Sequence, residues 1–167
     1  MSSEKLRATK VGVAYVVEQK QEQNYDREEE AGVPQAVICW INAVLDGEHD
    51  KIPGGDWKSF CNHIKDGVMI CKLINKLLKS DSKSPVPFQK KVMSPFVALT
   101  NIENFNNGCK AYGMPQESTF ASVDLQEGRK AGFYNVLTTL HSLGFFANSK
   151  EFMPAYTGEL SKCLDRE

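Results

Sequence analysis

Two patterns are missing from this chain. There is no strand-like alternation of apolar and polar residues, and no apolar run of the roughly 18 residues that a membrane-spanning helix requires. The first absence argues against a β-sheet, the second against a membrane span. The N-terminus carries no signal-peptide core, and no Asn-x-Ser/Thr acceptor occurs. The five cysteines are odd in number, scattered, and include no C-x-x-C pair. Three of them fall on apolar helical faces, so they read as buried thiols of a reduced, cytoplasmic compartment. Net charge is only −1, which leaves no global basic field to attract nucleic acid or an anionic membrane. The chain has three histidines. His49 and His141 lack a partner at metal-ligand spacing, and Cys61 and His63 point to different sides of a helix. Gly54-Gly55 lacks the Lys-Ser/Thr of a phosphate loop. No metal, cofactor or catalytic constellation is therefore expected.

What is present is helical periodicity. The stretch DGVMICKLINKLL (66–78) is apolar on nearly every helical face, interrupted by Lys72, Asn75 and Lys76. A helix of that kind is expected in the middle of a domain, with the other segments packed around it. Asp66 is placed to cap it, and Gly67 to allow a tight turn at its start. Asn75 reads either as a buried polar residue that sets helix register or as the exposed edge of the polar stripe. The length, 167 residues, suits one domain with tails.

Residues 1–13 are polar and basic and read as a loose arm, with a short helix over 14–23. Asp26 is a candidate cap for a following helix, with Glu28, Glu29 and Glu30 in its first turn, where the helix dipole favours acids. Val33, Val37, Trp40, Ile41, Val44 and Leu45 form one apolar stripe, and Pro34 requires the helix proper to start near Gly32. Trp40 and Trp57 read as core. Asp56 reads as the cap of a helix over 57–65, after a loop with breakers at Pro53, Gly54 and Gly55. A long Ser-, Pro- and Lys-rich connection spans 79–95. Ser94-Pro95 then opens a helix that Gly113 stops. Asp124 and Glu127 are arranged as the capping box of the last long helix, which is expected to end at Gly144. A carboxylate pair for acid–base chemistry has no nucleophile or cofactor motif beside it. The sum is an all-α domain of about four long helices plus short ones.

Trp40-Ile41, IKDGVMICKLINKL (64–77), NIENFNNGCKAYGM (101–114), FASVDLQEG (120–128) and NVLTTLHSLG (135–144) together resemble a calponin homology domain of the single-copy calponin and transgelin type. The acidic YDREEE (25–30) resembles a transgelin start. The resemblance implies a calponin homology fold over 24–146, an N-terminal arm over 1–23 and a tail over 147–167. It implies a non-enzymatic module of the contractile or cortical cytoskeleton, with filamentous actin as partner. The tail holds no copy of the short repeat that usually follows such domains, which leaves a second reading, a scaffold for signalling or regulatory proteins. The residues offer one candidate contact. Lys72, Lys76, Lys79, Lys83, Lys90 and Lys91 face only Asp81 over 72–91, a local excess of five positive charges in a nearly neutral chain. Such a patch can steer an acidic filament; alternatively it is a solvated lysine-rich loop.

Overall fold

Gly67 decides where the central helix begins. It sits at φ 79°, a left-handed conformation that only glycine adopts freely, and the chain enters the helix Val68–Ser80 directly from it. The Asp66 carboxylate accepts from the Val68 amide at 2.9 Å, so it serves the first turn as expected, from one residue further back than the cap itself. In this computed structural model, residues 2–158 are described, with side chains from residue 12 onward. The described residues form seven α-helices and no strand: α1 (Ser2–Glu30), α2 (Val33–Val44), α3 (Trp57–Ile64), α4 (Val68–Ser80), α5 (Pro95–Tyr112), α6 (Ser122–Gln126) and α7 (Lys130–Ser149). The fold is all-α. The apolar side chains of α4 are buried against α5, α3 and α2, which makes it the central helix that its sequence implies.

Several boundaries follow the local chemistry. The Asp56 carboxylate accepts from the Ser59 amide at 3.0 Å and opens α3. Ser94 Oγ accepts from Val97 N at 3.3 Å, and Pro95 takes the first position of α5. Gly113, at φ 118°, closes α5, its amide and that of Met114 both donating to Cys109 O. Pro34 lies in the first turn of α2, where its missing N–H costs nothing.

Other expectations are corrected. The loose arm and the short helix over 14–23 are parts of one continuous helix, α1, which runs to Glu30. Asp26 therefore caps nothing, and Glu28–Glu30 sit at a helix C-terminus, where the dipole disfavours them. Tertiary contacts hold this end instead. Tyr25 is buried against Phe133, with ring centroids 5.9 Å apart, and Lys130 reaches Asp26 at 2.6 Å. Asp124 is inside α6, and α7 begins only at Lys130, so Asp124 and Glu127 form no capping box. The Asp124 carboxylate accepts from Asn135 instead, at 3.2 Å. Gly144 does not end the last helix. A Cβ there would lie 2.4 Å from the Tyr156 ring, so the glycine is a notch for that ring. Tyr156 is buried, its backbone paired twice with the Asn148 carboxamide, and Trp40 Nε1 donates to Pro154 O at 2.9 Å. The segment 150–158 thus lies on the body, while residues 159–167 fall outside the described ones. Trp40 is core; Trp57 is only partly buried, packed against the core beside Phe133. Cys61, Cys71 and Cys109 are free and buried, and burial pushes the Cys71 thiol up to about 12.

One polar residue binds the core to its connections. Asn101 on α5 is buried. Its Nδ2 donates to Asp66 O at 3.1 Å and Gln89 O at 2.9 Å, and its Oδ1 accepts from Gln89 N at 2.9 Å. Gly67 packs against it so closely that an added Cβ would meet Asn101 Cβ at 2.6 Å. Asn101→Ala leaves three backbone groups without partners and is expected to cost about 3 kcal/mol. Gly67→Ala is expected to cost about 2 kcal/mol through backbone strain and the clash. Urea unfolding of both variants measures this, and a loss under about 0.5 kcal/mol in either, the range of ordinary surface substitutions, contradicts the assignment.

Asp81, just past α4, accepts from Lys150 at 2.7 Å and pairs with Lys83 at 2.9 Å. The Lys150 bond first, then the Lys83 bond, hold its carboxyl below the usual carboxylate range. The folded state therefore releases this proton more readily than the unfolded chain. The stabilisation is present above the unfolded carboxylate pKa and lost as pH falls through the lowered folded value. Asp81→Asn should flatten that part of the acid limb of stability against pH. A carboxyl-carbon NMR titration of Asp81 that gives an ordinary value counts against the tie.

Candidate functional site

Three of the six lysines come from α4. Lys72, Lys76 and Lys79 follow one another at four and three residues, so they share a helical stripe with Asn75 between them. Their opposite number is the connection over 81–94, whose backbone groups need partners wherever it lies against the body and away from water. Asn75 supplies two. Its Oδ1 accepts from Val86 N at 2.7 Å, and its Nδ2 donates to Val86 O at 3.1 Å. Of the two readings of Asn75, the one with structural hydrogen bonds holds, although the bonds fix the connection rather than the register between helices. Asn101 grips Gln89 in the same two-point manner, and Asn104 Nδ2 donates to Pro87 O at 3.0 Å. The connection is thereby laid back along α4, bringing Lys83 and Lys90 across from the α4 stripe.

A groove of about 560 Å³ lies between them. Lys72, Lys76, Lys79, Lys83 and Lys90 line it, together with Asn75, Glu48, and the apolar surfaces of Pro85 and Phe88. Five of the six lysines singled out from the sequence are thus brought to one place. Lys91 is exposed and does not line the groove.

The ammonium groups are not equivalent. Lys76 pairs with Glu48 at 2.8 Å. Lys72 Nζ donates to Glu48 O at 3.1 Å and lies 3.1 Å from His49 Nδ1. Burial first, then the Lys72 charge, hold the His49 imidazole below its usual pKa, so Nδ1 is free to accept from Lys72 near neutral pH. Lys83 shares Asp81 with Lys150. Among the described residues, Lys79, Lys90 and Lys91 have no ion-pair partner. Within the groove, Lys72, Lys76 and Lys83 are therefore engaged within the chain, while the ammonium groups of Lys79 and Lys90 are open.

Glu48 and His49 were missed by sequence reasoning because they belong to a different connection, over 45–56. That connection is held by a further two-point clamp, Asn42 to Ile52, at 2.8 and 3.0 Å. The one available signal was the pair of acidic and imidazole side chains at 48–49 inside a loop already marked by breakers.

Nothing in this arrangement offers a nucleophile with a base, and no group of three or more His, Cys, Asp or Glu side chains converges among the described residues. No helix among them is long and apolar enough to cross a membrane. What the site offers is spaced positive charge around an apolar floor on a rigid support, which is the chemistry of a binding surface.

Comparison with known proteins agrees with the architecture. Muscle-specific protein 20 of Drosophila melanogaster is 37% identical over 105 residues, 63% of this chain and 51% of that protein. Myophilin of Echinococcus granulosus is 29% identical over 147 residues, 88% of this chain and 68% of that protein. Rac guanine nucleotide exchange factor B of Dictyostelium discoideum is 31% identical over 139 residues, 81% of this chain but only 10% of that protein. The chain thus spans about half of the first of these relatives and a small part of the last. The calponin homology (CH) domain family matches residues 32–148, from the glycine that opens α2 to the last turn of α7. With that match covering most of the chain, the protein belongs to the calponin homology domain family.

Proposed function

We propose that this chain is a binding module of the actin cytoskeleton, of calponin and transgelin type, working in the cytoplasm and without catalysis of its own. Filamentous actin is its partner, and the lysine surface of α4 and the connection over 81–94 is the contact. The observation that carries this reading is the convergence of Lys72, Lys76, Lys79, Lys83 and Lys90 on one groove in a chain of net charge −1. Family membership and the names of two relatives, muscle-specific protein 20 and myophilin, support the cytoskeletal setting.

A second reading has its own support. A guanine nucleotide exchange factor matches over 81% of this chain, so a domain of this kind occurs within a signalling protein. On that reading the same groove docks a regulatory protein.

Co-sedimentation with filamentous actin separates the two. The wild-type chain is expected to pellet saturably at low salt and more weakly near physiological salt, because exposed charges are screened beyond roughly 8–10 Å there. Lys79→Glu with Lys90→Glu, two exposed positions outside any ion pair, is expected to weaken pelleting about tenfold or more. If the wild type stays in the supernatant even at low salt, the filament contact is wrong and the regulatory scaffold takes its place.

A further inference from the structure

We propose that the groove between α4 and the connection over 81–94 is a docking slot for an acidic peptide segment that carries one apolar side chain. Glu48 is its built-in competitor. The inference rests on the reading of this surface as the partner contact and specifies what the partner must present there.

Charge is the first argument. Five lysines line the groove and Glu48 is the one carboxylate among its lining residues, so an occupant bearing several carboxylates is complementary to it. The shape of the floor is the second. Phe88 is half-buried and packs on the core, and Pro85 lies exposed beside it, so between the lysines there is apolar surface that an apolar side chain satisfies. These two features together favour a peptide over a small polyphosphate. No arginine fork lines the groove, no helix N-terminus supplies amides to it, and it runs along α4 toward that helix's C-terminal end, where the dipole adds no attraction for phosphate. Single ammonium groups spaced along a slot match carboxylates spaced along a chain.

Glu48 defines the resting state. Its carboxylate holds Lys76, and its carbonyl, with His49 Nδ1, holds Lys72. An incoming acidic segment binds first to the open ammonium groups of Lys79 and Lys90, places its apolar side chain on Phe88, and displaces the Glu48 carboxylate from Lys76. Removing the competitor should therefore tighten binding, a direction opposite to that of removing a lysine.

The probe is a short fluorescein-labelled peptide of glutamates and aspartates with one central leucine, read by anisotropy against the whole chain at low salt. A matched peptide with serine at the centre runs beside it, and unlabelled inositol hexakisphosphate serves as competitor. The leucine peptide is expected to bind saturably. Glu48→Gln should tighten it about threefold, and Lys79→Glu with Lys90→Glu should weaken it about tenfold or more. The serine peptide should bind about fivefold more weakly than the leucine peptide. Circular dichroism melts check that the variants remain folded; all three substitutions are at exposed positions.

No saturable binding of the leucine peptide overturns the proposal. So does equal binding of the two peptides with competition by the polyphosphate at lower concentration, which makes the groove a general polyanion site. Weaker binding by Glu48→Gln removes the competitor role and overturns it as well. The actin assay fails independently. Peptide binding without filament pelleting keeps the slot and discards actin as its partner. Pelleting that is indifferent to Lys79→Glu with Lys90→Glu keeps actin and discards the slot as its contact.

Discussion

A primary carboxamide can give an N–H and take an N–H at once, so one asparagine can pair with both backbone groups of a single residue, as a neighbouring strand would. Among the described residues this happens four times: Asn42 with Ile52, Asn75 with Val86, Asn101 with Gln89, and Asn148 with Tyr156. The need is physical. With no strand among the described residues, connections that cross the helical body have no ladder in which to place their N–H and C=O groups. Each clamp meets that need at one residue and pins a connection of about ten residues or more to a helix. Asn75 and Asn101 hold the same connection from two different helices, α4 and α5, so its path is determined at Val86 and again at Gln89. Without these bonds the core of α4 and α5 could still pack, but the surface above it would have no single shape.

That surface is the groove. Its lysines differ in origin, three from a helix and two from a clamped connection, and only the clamps make their spacing definite. A charged surface whose elements are held in place loses less entropy on meeting a partner than a flexible lysine loop does. The ion pairs at Glu48 and Asp81 then leave the lysines of the groove unequal. At Lys79 and Lys90 the ammonium groups are open; at Lys72 and Lys76 they are already engaged within the chain.

The features legible in the sequence are those decided by a few neighbouring residues. Asp56, Ser94-Pro95 and Gly113 mark helix ends because capping depends on side chains and backbone within one turn. The burial of α4 was legible because its apolar residues occur on all sides. The errors share one cause, which is distance along the chain. The acidic run at 26–30 looks like a helix start by its local charge, yet Tyr25 against Phe133 and Asp26 against Lys130 carry α1 through it. Gly144 looks like a stop until Tyr156, twelve residues on, is seen to need the space. Asp124 and Glu127 have the spacing of a capping box, but Asp124 bonds Asn135. In the site, the lysines were legible as a cluster along the chain. Glu48 was not, since it belongs to a separate connection, over 45–56, that meets α4 through Lys72 and Lys76.

The division of labour between asparagines and lysines bears on how such a surface changes. Exposed ion pairs such as Lys76–Glu48 contribute about 0–1 kcal/mol, so substitutions there alter charge at little cost to folding. A buried carboxamide with three bonds, as at Asn101, is worth several times that, because its loss leaves backbone groups stranded. The proposed recognition and the architecture are therefore carried by different side chains within a few ångströms of each other. The charged residues at 79, on α4, and at 83 and 90, on the clamped connection, can be exchanged while the connection keeps its path, because Val86 and Gln89 are held by backbone bonds and Val86 also packs on the core. A support of that kind can redirect its partner choice by surface charge alone, which fits a fold found both in a muscle-specific protein and inside a nucleotide exchange factor.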